Sequence, residues 1–365
     1  MKDHGRSLLS AALREPKELA RWDSARLELV IRQARRANLL GRLAALLDDQ
    51  GLLHAIPAAP RAHLEAARTV SLAQEEAVRR EVIHICAALR HAGTEGILLK
   101  GAAYLFAGLP AGRGRQFADI DILVPRAALG EVEAALMLKG WATTHRHPYD
   151  QRYYRHWMHE LPPLQHATRL TVLDVHHAIL PPTARLKPDS RKLWAASRPI
   201  AETEPLRLLA PSDMVLHSAA HLFFNEEFSN GLRDLVDLES LLHRLGQEAG
   251  FWDGLVRRAD ELDLARPLYY ALRYVQRAFA AAIPPQVLRR AEAARPPALL
   301  QFLMDGLFLR VLQPDHPSVT DSFTELAKQA LYVRAHWLRM PPLLLAYHLT
   351  AKALRREEPA HAGAR

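Results

Sequence analysis

Residues 97–124 read ILLKGAAYLFAGLPAGRGRQFADIDILV. The last six, DIDILV, decide the fold. They have the apolar run of a buried strand, yet Asp119 and Asp121 interrupt it. Burying ionised carboxylates is unfavourable unless they are paired or bind a metal. Residues two apart on a strand point to the same face, with Cα atoms about 6.5–7 Å apart. The two carboxylates can therefore converge on one site. Paired metal ions in phosphoryl-transfer sites lie about 3.5–4 Å apart and are bridged by carboxylates. Mg2+ takes one or two carboxylates together with substrate phosphate oxygens.

A third acid of the same kind stands in TVLDVHHAIL, residues 171–180, where Asp174 lies between Leu173 and Val175. If this strand lies beside DIDILV, all three acids share a face. Upstream, ILLKGAAYLF reads as a strand running through Lys100-Gly101 into a helix. Glycine permits close backbone approach to a ligand, and a helix start offers N–H groups to an anion. Lys100 can add a point charge to a triphosphate. Arg113 and Arg115 lie just ahead of the acid pair; Arg113 reads as a solvated loop residue.

Working outward, the pattern divides the chain into three. Residues 1–93 read as helices; EEAVRREVIHICAALRHAG (75–93) has apolar positions at helical spacing, with Gly93 as a stop signal. Residues 94–205 change character: short runs rich in branched apolar residues alternate with helical stretches, in the order strand, helix, strand, helix, then two or three strands. That order predicts an α+β fold with a small mixed sheet covered by helices. Residues 206–356 return to helix, with PSDMVLHSAAHLFF offering Ser212 and Asp213 as caps, then GLRDLVDLESLLHRL and four or five further amphipathic helices. Residues 357–365 are expected to be disordered.

The 365 residues are 49% hydrophobic, enough for a sizeable core. The single cysteine, Cys86, excludes an internal disulfide and reads as a small core residue in a reducing compartment. There is no secretory h-region and no apolar run of about 20 residues, so a cytoplasmic protein without a transmembrane segment is expected. The net charge of +8 favours acidic partners, nucleotides, RNA or anionic lipid among them. No motif indicates nucleic acid.

Taken together, LLKGAAYL, GRGRQFADIDILV and LDVHH resemble the nucleotidyltransferase superfamily with the DNA-polymerase-β-type palm. More narrowly they resemble its bacterial branch of uncharacterised nucleotidyltransferases. Arg115 stands four residues before Asp119, as in that branch, and Asp174 is followed by Val175 and His176. LHSAAHLFF and GLRDLVDLESLL resemble the branch's later helices, with His217, His221 and Asp237 in place. The motifs cover about residues 96–245. The turn is Lys100-Gly101 where most of the superfamily has Gly-Ser or Gly-Gly.

The resemblance implies a polymerase-β-like core between N-terminal helices and a C-terminal helical bundle. It implies Asp119, Asp121 and Asp174 as catalytic metal ligands for two Mg2+ ions, which Mn2+ can replace. Lys100, Gly101 and Arg115 would bind the nucleotide. A hydroxyl on a protein, a tRNA end or a small molecule would attack the α-phosphate of an NTP and release pyrophosphate. His176, two from Asp174, is expected to support the site or touch substrate, and His177 to point away. His217 and His221 are expected to pack or to contact the nucleotide-binding region, and Asp237 to cap or pair within the helical bundle. His145, His147, His156 and His159 receive no role. The alternative is a non-catalytic nucleotide- or RNA-binding protein, or a toxin–antitoxin-like regulator, on the same fold. Hydrolases and phosphotransferases using the same metals form a third class.

Overall fold

Gly96–Leu99 (β1) is an interior strand of the sheet, with Ile97, Leu98 and Leu99 all fully buried. A strand covered on both faces reads as a continuous apolar run rather than an alternating one. The computed structural model describes residues 7–143, 148–201, 203–224 and 227–345. The expectations for 346–356, for the 357–365 tail, and for His145, His147 and the side chain of His156 lie outside the described residues.

Among the described residues four α-helices precede β1: Leu8–Arg14 (α1), Ser24–Arg36 (α2), Leu40–Asp49 (α3) and Ala58–His91 (α4). The last has 34 residues, roughly 50 Å of helix at 1.5 Å per residue. It starts well before the stretch whose periodicity announced it. It ends ahead of Gly93, whose φ of 63° is the left-handed conformation that closes helices.

After β1 come Lys100–Phe106 (α5), Ile120–Leu123 (β2), Leu129–Leu138 (α6), Trp141–Thr143 (β3), Pro148–Trp157 (α7), Leu164–His166 (β4) and Val172–His176 (β5). Ser190–Ala196 (α8), Arg198–Pro199 (β6) and Leu206–Leu208 (β7) complete this region. The expected strands at 97–99, 119–124, 141–144 and 169–180 are present as β1, β2, β3 and, over Val172–His176 alone, β5. The reading missed α7, α8, β4, β6 and β7. The three missed strands are two or three residues long, too short to show a period of two.

All seven strands form one mixed sheet in the order β3-β4-β5-β2-β1-β7-β6. β1 pairs antiparallel with β2 and parallel with β7, while β2 pairs parallel with β5. The decisive register is in β2–β5, where Asp121 lies opposite Asp174.

Helices then continue: Pro211–Phe224 (α9), Gly231–Leu245 (α10), Phe251–Glu261 (α11), Ala265–Phe279 (α12), Pro285–Ala291 (α13), Ala298–Val311 (α14) and Ser322–Arg339 (α15). Among the described residues five complete helices follow α10, within the number expected. Asp213 does not cap α9. It is fully buried and accepts from Arg258 Nε at 2.7 Å and Nη2 at 2.9 Å. Cys86 lies in the apolar core as expected, and that core runs without a break from Leu9 to Leu331. Among the described residues no helix is long and apolar enough to cross a membrane.

Candidate active site

The site follows from the register. Side chains on neighbouring strands at paired positions share a face, so Asp121 and Asp174 stand together. Asp119 precedes β2 by one residue and shares the face of Asp121; His176 shares the face of Asp174. Asp121 and Asp174 lie in one cluster of possible ligand atoms with His176; Asp119 lies outside that cluster and lines the cavity beside it.

Lys100 is the first residue of α5 and has a φ of 48°. A non-glycine residue in the left-handed region is disfavoured by roughly 1–3 kcal/mol. That conformation places Lys100 Nζ 2.7 Å from Asp121 Oδ1. The same oxygen lies 3.0 Å from His176 Nε2, and the other ring nitrogen, Nδ1, lies 3.1 Å from Glu160 Oε2. Glu160, His176, Asp121 and Lys100 therefore form one continuous chain of polar contacts at the edge of the core.

The electrostatics follow from burial and these neighbours. Burial by itself would raise the Asp121 carboxyl, but the Lys100 ammonium and the His176 contact hold it far below the usual carboxylate range. The charge on Asp121 and then burial raise Asp119. Burial and the Asp121 charge push Asp174 up to about 7. For His176, burial works against protonation, but the Glu160 and Asp121 carboxylates overcome it and raise the imidazole.

These residues fit a divalent cation. Asp121, Asp174 and His176 each offer one ligand atom, all within 4.8 Å of one another. Asp174 Oδ1 is buried and has no hydrogen-bond partner, and a buried carboxylate oxygen without a partner is rare in a folded protein.

Beside the acids opens a polar cavity of about 180 Å3. Lys100, Gly101, Tyr104, Arg115, Asp119 and Asp121 form one wall. Ser218 and His221 of α9 with Arg233, Asp234 and Asp237 of α10 line the other. Arg115 donates from Nε to Asp237 Oδ2 at 2.9 Å, with both side chains buried. Asp237 thus pairs across to the loop before β2, not within the helices as expected. The close approach that Gly101 permits is made by this arginine: a Cβ there would stand 2.5 Å from Arg115 Nη1. Arg113 instead pairs with Asp49 on the surface.

His221 lines the cavity with Nδ1 3.8 Å from Asp234 Oδ2. His217 is buried behind it, and burial with the nearby Lys100 and His176 cations lowers it to about 3. Burial, with Lys100 and His217, holds His221 low as well. His177 lies outside both groups of clustered metal-ligand atoms. His159, given no role from sequence, has its ring 5.2 Å from that of His176 and a buried Nδ1 without a partner.

The loop that delivers Asp119 is fixed from the N-terminal helices. Gly114 N–H donates to Glu75 Oε1 at 3.0 Å, and Phe117 N–H to Gln74 Oε1 at 3.4 Å, both on α4. Arg42 of α3 donates to the carbonyls of Pro110 and Arg113 and, at 2.7 Å, to Ser240 of α10. The N-terminal helices are thus part of the site's frame.

Residues 23–280 match the uncharacterised nucleotidyltransferase family. The chain belongs to that family. Its match reaches well beyond the 96–245 span of the motifs and takes in α2 together with α3 and α4, whose polar residues hold the Asp119 loop. No curated protein and no solved structure matches the chain.

Glu160, Arg42, Arg233 and Asp234 were missed from sequence. Glu160 stands in WMHELPP, after α7, where no periodicity marks it. Arg233 and Asp234 were visible as polar positions on the apolar stripe of α10, where Asp234 and Asp237 are one turn apart.

Proposed function

We propose that this member of the family transfers a nucleotidyl group from an NTP to a hydroxyl acceptor. The observation that carries the reading is the β2–β5 register, which sets Asp121 against Asp174 with Asp119 on the same face. The partnerless Asp174 Oδ1 supports it. Divalent cations bound by these acids would supply neutralisation of charge on the attacking and leaving oxygens.

In this reading Lys100 moves from Asp121 to the triphosphate, for which its ammonium is a mobile point charge. Arg115, held by Asp237, and Arg233, held by Asp234 at 3.0 Å, bring two paired guanidinium groups to the cavity. The acceptor hydroxyl attacks the α-phosphorus in line, its proton passes to Asp174, and the bond to the β-phosphate oxygen breaks to release pyrophosphate. α9 and α10 form the wall against which the acceptor lies.

One observation favours the alternative of a nucleotide-binding protein without transfer. Asp121 is already neutralised by Lys100 and His176 on one oxygen. Incubation with each α-32P-labelled NTP and Mg2+ or Mn2+, with and without lysate, decides between them. Label on a product, lost in the Asp119→Ala/Asp121→Ala variant, is the expected result. Bound NTP with no labelled product under any condition would leave the binding role.

A further inference from the structure

The imidazole of His176 is placed as a ligand rather than as a bystander. One of its ring nitrogens shares the 4.8 Å cluster with carboxylate oxygens of Asp121 and Asp174, and Nε2 is the one that faces Asp121, 3.0 Å from Oδ1. Its Nδ1 lies 3.1 Å from Glu160 Oε2, and residue 160 is also bridged to residue 176 through the backbone. A carboxylate on the far nitrogen is the arrangement that fixes the tautomer and ring orientation of metal-binding histidines and raises their basicity. Both side chains have little freedom: His176 is 5% exposed and Glu160 17%. Asp174, a member of the same cluster, has a buried Oδ1 with no partner.

We propose that the cation of this site is held by Asp121, Asp174 and His176 Nε2, with Glu160 as the residue that positions the imidazole. The inference rests on the transferase reading for its purpose but not for its test. A donor set of two carboxylates and one imidazole has a consequence. Mg2+ favours all-oxygen surroundings, whereas nitrogen donors raise affinity for first-row transition ions. The site should therefore select Mn2+ over Mg2+, where the carboxylates alone implied Mg2+. A competing arrangement exists on the other side of the ring, where His159, Glu160 and His176 also cluster. It is less favoured because it would use the Nδ1 that Glu160 already holds and would leave Asp174 Oδ1 without a partner.

The test uses the full chain with Mn2+ alone as the probe. Pulsed EPR of the bound ion should show modulation from a directly bound imidazole nitrogen. The signal should vanish in His176→Asn. In Glu160→Gln it should persist while Mn2+ affinity drops about 10–100-fold, the usual effect of removing such a support. Asp174→Asn should also weaken Mn2+ binding, and Mg2+ should compete poorly in the native protein. Bound Mn2+ without nitrogen modulation would overturn the proposal, and so would a signal that survives His176→Asn. Undiminished Mn2+ affinity in Asp174→Asn would place the ion with His159 and refute it equally. Should His176→Asn fail to fold, the native spectrum and Glu160→Gln still decide. Absence of nucleotide transfer in a protein that passes these nucleotide-free measurements would count against the transferase reading alone.

Discussion

Arg115 and Asp237 are 122 positions apart in the chain and meet in a buried ion pair of 2.9 Å. The pair ties the loop that delivers Asp119 to α10, and it packs against Gly101 at the start of α5. It joins the sheet side of the cavity to the helical side through one contact.

Breaking a buried pair from one end leaves a charge without compensation, at about 3–5 kcal/mol. Arg115→Met and Asp237→Leu are each expected to lose stability in that range in urea denaturation. The double variant should lose less than the sum of the two. Strict additivity would show that the residues do not interact.

Lys100 competes with any cation for Asp121. Lys100→Met should lower the stability of the metal-free protein by about 1–3 kcal/mol, the range for leaving a buried acceptor short of a donor. It should tighten divalent-cation binding and weaken NTP binding. Calorimetric titration gives both affinities; cation binding that weakens in the variant would disprove the competition.

Asp305 gathers Arg273 Nε at 2.9 Å, Tyr274 OH at 3.0 Å and Gln301 Nε2 at 2.7 Å, and so links α12 to α14. Burial would raise its carboxyl, but Arg273 and its other donors hold it below the ordinary range. A carboxyl depressed by folding adds stability that is present above its unfolded pKa of about 3.9 and fades as pH falls through the lower folded value. Asp305→Asn is expected to cost about 2 kcal/mol near neutral pH, with the difference shrinking below about pH 4. An unfolding midpoint difference that stays constant from pH 7 to pH 3 would contradict this.

The Cys86 thiol is buried, and burial pushes it up to about 11. The thiolate is the reactive form. Alkylation at pH 8 should therefore be slow in the native protein and fast in urea. Rapid native labelling would show that this part of α4 opens.

The acids, the Lys100-Gly101 turn and the motif helices were legible because each violates its surroundings: a carboxylate inside a strand, a lysine at a strand end, an aspartate on an apolar stripe. Such violations are local, and they named Asp119, Asp121 and Asp174 together with the faces they share. The missed strands lacked that quality. β4, β6 and β7 are too short to carry a period, and they exist because neighbouring strands offer unpaired backbone groups.

By itself, then, the sequence determined which strands carry acids, which side of each strand they occupy, and that helices flank the sheet. Pairing decided the rest. Only the β2–β5 register made Asp121 and Asp174 neighbours, because hydrogen bonding between strands far apart in the chain leaves no local pattern. Only packing brought Glu160 to His176, Asp237 to Arg115 and Lys100 to Asp121. A polar residue shows in the sequence that it needs a partner. Which partner it finds depends on the distances that folding of the whole chain creates.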